Sequence, residues 1–152
     1  MAPRLPVALA AGALAVAAVA GCSDSASEPV TVTPARYIAA VQALLDPPAQ
    51  LAAVISERAE RPGTTSSASG GTLLVGDARL ELAAFRALRV GDPVLRRQRD
   101  RLARAYARMV PRMQTAADAL GSPERATLRR AADPFLDSLR ALPSVAASSY
   151  SR

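Results

Sequence analysis

Residues 91–123, GDPVLRRQRDRLARAYARMVPRMQTAADALGSP, decide the fold of this 152-residue chain. The segment opens with Gly-Asp-Pro and closes with Gly-Ser-Pro, and each triplet joins a glycine that ends one helix to a capping residue and a proline that begin the next. Between the triplets, apolar residues recur at intervals of three, four or seven, which is the spacing of one helix face. They are Leu95, Leu102, Tyr106, Met109, Met113 and Leu120. We therefore expect a helix from Pro93 to about Leu120 with a bend at Pro111.

The same punctuation predicts three further helices. Thr33 and Pro34 supply an N-cap and a first-turn proline for a helix that runs to about Arg61. Pro47-Pro48 falls inside this run and predicts either one bent helix or two coaxial ones. Residues 61–72, rich in Gly, Ser and Thr, are typical of a plain connector. The other two helices are expected over about residues 74–90 and 123–142.

Together these segments predict an all-α protein. The expected architecture is an antiparallel helical bundle of about four helices, several of them kinked by proline, because the turns at Gly91 and Gly121 are very short. Residues 30–33 and 72–75 have strand composition, but both stretches are too short to build a sheet.

Composition limits the classes of function. The chain has 19 basic and 13 acidic residues, one cysteine and no histidine, and every basic residue is arginine. Without histidine there is no imidazole-ligated zinc or haem site and no Ser–His–Asp relay. Without lysine there is no Schiff base and no P-loop. We therefore expect a protein that is not an enzyme and that uses no cofactor and no metal.

Residues 1–22, MAPRLPVALAAGALAVAAVAGC, have the layout of a secretory signal. A single arginine precedes 17 uncharged residues, Leu5 to Gly21, and then Cys22. The four residues Val19, Ala20, Gly21 and Cys22 resemble the lipobox of bacterial lipoproteins. The resemblance implies cleavage before Cys22 and a diacylglyceryl group on its sulfur. Ordinary secretion is the alternative, because Ala18-Val19-Ala20 also fits a small-x-small cleavage site.

This resemblance sets the expected organisation. Residues 1–21 form the signal peptide, 22–33 the lipidated Cys and flexible tether, 34–142 the bundle, and 143–152 a loose tail. The mature protein is expected on the extracytoplasmic face of the cell membrane, held there by diacylglyceryl-Cys. The Ala/Arg-rich composition without lysine resembles that of high-GC bacteria such as actinobacteria.

Five arginines follow the third predicted helix at spacings of 4, 3, 4 and 4: Arg97, Arg101, Arg104, Arg108 and Arg112. On a helix they occupy a sector of about 80° and a length of about 22 Å, away from the apolar stripe. We name them the arginine ridge. They predict contact with anionic lipid headgroups or an acidic protein partner, or else a solvated helix face. Nucleic acid is not expected, because the signal directs the chain out of the cytoplasm.

Other pairs have a chemical and a simpler interpretation. Met109 and Met113 could ligate Cu(I), but at this spacing methionine is usually core filler. Asp133 and Asp137 could act in acid–base chemistry or bind Ca²⁺, but nearby arginines explain them as surface ion pairs. Glu57 has the same relation to Arg61.

Two functions follow from the sequence. The first is a non-enzymatic lipoprotein that serves as a cell-envelope accessory or protein-interaction module. The second is a small helical binding protein, opened by its bent helices, for a lipid or another apolar ligand.

Overall fold

The computed structural model describes residues 31–61 and 68–147, and within these ranges all regular structure is helical. The helices are α1 (Pro34–Glu60), α2 (Ala68–Ala87), α3 (Pro93–Ala119) and α4 (Arg125–Ala147). This confirms the predicted all-α class and the count of four. The predicted signal peptide, Cys22 and the predicted tether up to residue 30 lie outside the described residues.

The four helices form an up-and-down bundle. Each helix packs mainly on its neighbours in sequence, α4 closes the ring against α1, and the diagonal pair α1 and α3 barely touches. Neighbours run antiparallel: Gly71 at the start of α2 lies against Leu120 at the end of α3. At the same end, the Arg58 guanidinium of α1 donates to the Ser122 carbonyl at 3.3 Å, between α3 and α4.

Two of the helix starts are held by the caps that the sequence predicts. The Thr33 hydroxyl accepts from the Arg36 amide at 3.4 Å, and the Asp92 carboxylate accepts from the amides of Val94 and Leu95 at 2.6 and 3.0 Å. At the third predicted start, the Ser122 hydroxyl accepts from the Glu124 amide at 3.3 Å. The helix itself begins at Arg125, two residues beyond Pro123.

One proline, Pro143, lies inside a helix that the sequence ends before it, whereas the two prolines of α1 match one of the two predicted alternatives. α1 is one continuous helix through Pro47 and Pro48, both of which are buried. α4 continues through Pro143 to Ala147, so the predicted end at Leu142 is too early and residues 143–147 are not a loose tail. Residues 148–152 of that tail lie outside the described residues. Burial of Leu142 in the core explains the difference, since packing of an apolar face outweighs the bond that proline removes.

The core contains the apolar stripes predicted from helical spacing. In α3, Leu102, Tyr106, Met109 and Met113 are all at most 2% exposed. The other helices add further buried apolar residues to this core: Tyr37, Leu44, Leu51, Ile55, Leu82, Phe85, Leu128, Phe135 and Leu142. The rings of Tyr37 and Phe85 meet at a centroid distance of 5.9 Å and so join α1 to α2.

The connector predicted over residues 61–72 is wrong in its second half, because α2 already begins at Ala68. Gly71 is the reason. A Cβ atom at this position would lie 2.9 Å from Leu120 Cδ1 and 3.0 Å from Ala117 Cβ, so only glycine lets α2 approach α3 this closely. Helix contact compensates for the low helix propensity of glycine. Residues 62–67 lie outside the described residues.

Gly71→Val is therefore expected to lower the free energy of unfolding by about 1–3 kcal/mol, because the added methyl groups overpack this contact. Gly76→Val is the matched control, since a Cβ at Gly76 meets nothing within 4 Å. Urea unfolding followed by circular dichroism measures both. A Gly71→Val protein as stable as the Gly76→Val protein would contradict the close approach of α2 and α3.

One helix, α1, is long and apolar enough to cross a membrane by length and composition alone. In the bundle, its inward side chains Tyr37, Leu44, Leu51 and Ile55 are buried in the core. These side chains form the face of α1 that packs against the rest of the bundle.

Candidate functional site

The residues of the predicted lipobox, Val19, Ala20, Gly21 and Cys22, lie outside the described residues. The chain that follows the lipobox contacts the bundle through Val32. The Val32 amide donates to the Arg89 carbonyl at 3.0 Å, and Val32 packs against the core. Residues 31–33 are thus bound to the bundle, and the tether predicted to run to Thr33 ends earlier.

The segment that receives Val32 is the connection between α2 and α3, residues 88–92. The sequence predicts helix up to Val90 and a helix-ending glycine at Gly91, but α2 ends at Ala87. Gly91 does not adopt the left-handed conformation of such a glycine. Instead it gives room to the incoming chain: a Cβ on Gly91 would lie 2.7 Å from the Thr31 methyl group.

Two arginines of α3 hold this connection by its carbonyl oxygens. Arg96 donates to the carbonyl of Val90 at 3.2 Å and to that of Gly91 at 3.0 Å. Arg99 donates to the Leu88 carbonyl. Carbonyls beyond the end of a helix need such partners because they have none within the helix. Both guanidinium groups are thereby fixed in place.

A cleft of about 450 Å³ lies over this connection. We name it the arginine cleft, because four arginines line it together with Thr31 and residues 87, 88, 90 and 91. They are Arg86, Arg89, Arg96 and Arg99, and none of the described residues that line the cleft is a carboxylate. Arg86 and Arg89 are exposed, and neither guanidinium has a partner among residues 31–61 and 68–147.

The arginine ridge begins beside this cleft and runs along α3. All five of its residues, Arg97, Arg101, Arg104, Arg108 and Arg112, are exposed. Arg112 donates to the Ser138 hydroxyl of α4. Within the described part of the chain the other four guanidinium groups make no hydrogen bond or ion pair. The ridge is thus a free cationic surface over most of its length.

Charge is unevenly distributed between the two ends of the bundle. Residues 31–37 and 85–101 form the end of the bundle at which α1 begins, and we name it the basic end. It carries seven arginines and two aspartates. The rest of the described chain carries ten arginines and nine carboxylates, so most of its excess positive charge lies at the basic end.

The two aspartates of the basic end are already engaged. Asp92 caps α3, and Asp100 accepts from Arg99 at 2.7 Å. Arg36, Arg86 and Arg89 therefore face solvent without a carboxylate partner among the described residues. Such a surface favours anions, and guanidinium groups match the geometry of phosphate oxygens.

The pairs singled out in the sequence lie apart from this end. Met109 and Met113 are 1% and 0% exposed and belong to the core. Asp137 pairs with Arg140 at 2.9 Å, and Glu57 with Arg61 at 3.7 Å. Asp133 is exposed and pairs with neither Arg129 nor Arg130 in the described structure. Among the described residues, no three His, Cys, Asp or Glu side chains cluster as metal ligands would.

Tyr106, which the sequence places on the apolar stripe of α3, also carries a buried hydroxyl group. Its hydroxyl has no hydrogen-bond partner among the described residues although the side chain is fully buried. Burial raises the pKa of this phenol, and the negative charge of Glu81 raises the pKa further. The group therefore stays neutral at physiological pH and contributes bulk to the core rather than acid–base chemistry.

The fold and the site thus define a four-helix bundle with one strongly basic end. The chain matches no known family model, and neither a curated protein nor a solved structure is detectably similar to it.

Proposed function

We propose that the mature chain is a lipoprotein, held at the extracytoplasmic face of a bacterial cell membrane by a diacylglyceryl group on Cys22. The observation that carries this proposal is the sequence Val19-Ala20-Gly21-Cys22 directly after an uncharged apolar stretch. Two acyl chains on one residue supply the two signals that stable attachment needs, so no membrane-spanning helix is required.

We further propose that the bundle acts as a non-enzymatic interaction module of the cell envelope. The exposed ridge supports this role, since four of its five guanidinium groups have no partner among the described residues and can meet an anionic one. Exposed apolar side chains add to it: Leu73 and Leu80 lie two turns apart on α2 and are 70% and 69% exposed. Glu57 and Asp137 are exposed carboxylates that each pair with an arginine, so no catalytic role is needed to explain their presence.

The interior favours this role over that of a carrier for an apolar ligand. A carrier needs room between its helices, whereas large side chains from all four helices meet here with almost no exposure. They include Leu44 and Leu51 of α1, Phe85 of α2, Tyr106 of α3 and Phe135 of α4. Native mass spectrometry of the purified protein tests this choice, because a retained lipid would support the carrier instead.

Mass spectrometry of the protein purified from bacterial membranes tests the anchor. The expected N-terminal peptide begins at Cys22 and carries a diacylglyceryl mass. A peptide that begins at Gly21 with an unmodified thiol would show ordinary secretion and would overturn the proposal.

A further inference from the structure

The arginine cleft and the route of the chain lead to one further inference. We propose that the cleft binds the phosphate of an anionic phospholipid headgroup and so sets the bundle with its basic end on the bilayer. The inference deepens the proposed function, because it assumes that the membrane next to the protein is the one in which Cys22 is anchored.

The first argument is the chemistry of the cleft. Arg96 and Arg99 are held in place by the carbonyls of residues 88, 90 and 91, and Arg99 also pairs with Asp100, so these two side chains form the fixed wall of the cleft. Arg86 and Arg89 are exposed beside them and have no carboxylate partner in the described structure. The planar guanidinium groups of these two exposed arginines can each donate two parallel hydrogen bonds to a phosphate.

The second argument is the position of the cleft relative to the anchor. Thr31 lines the cleft, and it follows Cys22 by nine residues. Fully extended, nine residues span about 30 Å, so the cleft stays within this distance of the acylated cysteine. The opposite end of the bundle lies about 40 Å from the end that carries the cleft, because this is the length of a helix of 27 residues.

The third argument is the surface around the cleft. Most of the excess positive charge of the described chain lies at this end, where Arg36, Arg97 and Arg101 belong to the first turns of α1 and α3. The tip of α3 adds an apolar contact, since Val94 is 40% exposed. Positive charge beside an exposed apolar side chain suits the interface between headgroups and acyl chains.

An acidic protein could meet the same charges, but the chain arrives at this end and keeps it near the bilayer. The ridge residues beyond Arg101 lie farther along α3, toward the opposite end of the bundle. Arg104, Arg108 and Arg112 are therefore the part of the ridge left for a protein partner.

The test uses the mature chain from residue 22 with Cys22→Ser, which contains the whole described bundle and lacks the lipid. Binding to vesicles of phosphatidylcholine with about one third phosphatidylglycerol is measured by co-sedimentation at low salt and at about 0.5 M salt. We expect binding at low salt, release at high salt and no binding to phosphatidylcholine alone.

Three charge-matched variants locate the contact. Arg86→Gln with Arg89→Gln is expected to weaken binding about thirtyfold, which corresponds to about 1 kcal/mol for each arginine at an anionic surface. Arg129→Gln with Arg130→Gln, exposed on α4 at the opposite end, is expected to change binding less than about threefold. Arg104→Gln with Arg108→Gln is expected to fall between them. Circular dichroism checks that helicity is unchanged in all three.

Several results would overturn the inference. Equal losses in the cleft and opposite-end variants would mean that only net charge matters. A larger loss in the ridge variant would mean that the bundle lies on its side. Binding of inorganic phosphate at the cleft without binding to anionic vesicles would assign the cleft to a soluble ligand. None of these results depends on the lipid at Cys22, which the N-terminal peptide mass tests separately.

Discussion

Replacing Cys22 by serine is expected to abolish membrane anchoring, because serine has no sulfur to carry the diacylglyceryl group. The protein should leave the membrane fraction, or remain there as an uncleaved precursor that is 21 residues longer. Cell fractionation with immunoblotting measures both the location and the size. Membranes are washed with about 0.5 M salt first, so that charge-based adhesion of the basic end does not mimic an anchor.

Ser23→Ala is the matched control, since it changes the neighbouring residue and leaves the cysteine intact. It should fractionate like the wild type. A Cys22→Ser protein of mature size that stays with salt-washed membranes would contradict the anchor and would point to another mode of attachment.

Leu102→Ala is expected to lower the free energy of unfolding by about 2–5 kcal/mol, because a buried leucine loses its transfer free energy and leaves a cavity. Leu102 is 2% exposed in the centre of α3. Urea unfolding monitored by circular dichroism gives the value. A loss of this size is a large fraction of the stability of a small domain.

Leu80→Ala provides the comparison, because this leucine is 69% exposed on α2. Its effect should stay within about 0.5 kcal/mol. A loss under about 1 kcal/mol for Leu102→Ala would place that side chain outside the core and contradict the packing of α3.

Local signals explain why much of this fold could be predicted. The caps at Thr33 and Asp92 are contacts with amides two or three residues later, so the short stretch that makes each contact also predicts it. The apolar stripe of α3 was predicted for the same reason, since helical periodicity places Leu102, Tyr106 and Met109 on one face. Exposure of the arginine ridge follows from that periodicity, because its residues occupy a different sector of the same helix.

Where prediction failed, a distant part of the chain decides the local structure. Gly71 looks like a loop residue in sequence, but Ala117 and Leu120 lie so close to it that a side chain at this position would clash with them. Pro143 looks like a helix end, but α4 continues past it with Leu142 buried in the core. Gly91 resembles a helix-ending glycine and instead accommodates Thr31. The partners of Gly71 and Gly91 lie more than 40 residues away in sequence, and α4 continues past Pro143 because its apolar face packs on other helices.

The sequence by itself determined the lipobox resemblance at Cys22, the four-helix count and the position of the ridge, because each depends on residues in a single segment. Only the tertiary structure decided the arginine cleft and the basic end. The cleft joins Thr31, the end of α2 and the first turns of α3, and two of its arginines are held by carbonyls 5 to 11 residues away. Such a site exists only once packing has brought these segments together, so no periodicity along one helix could reveal it.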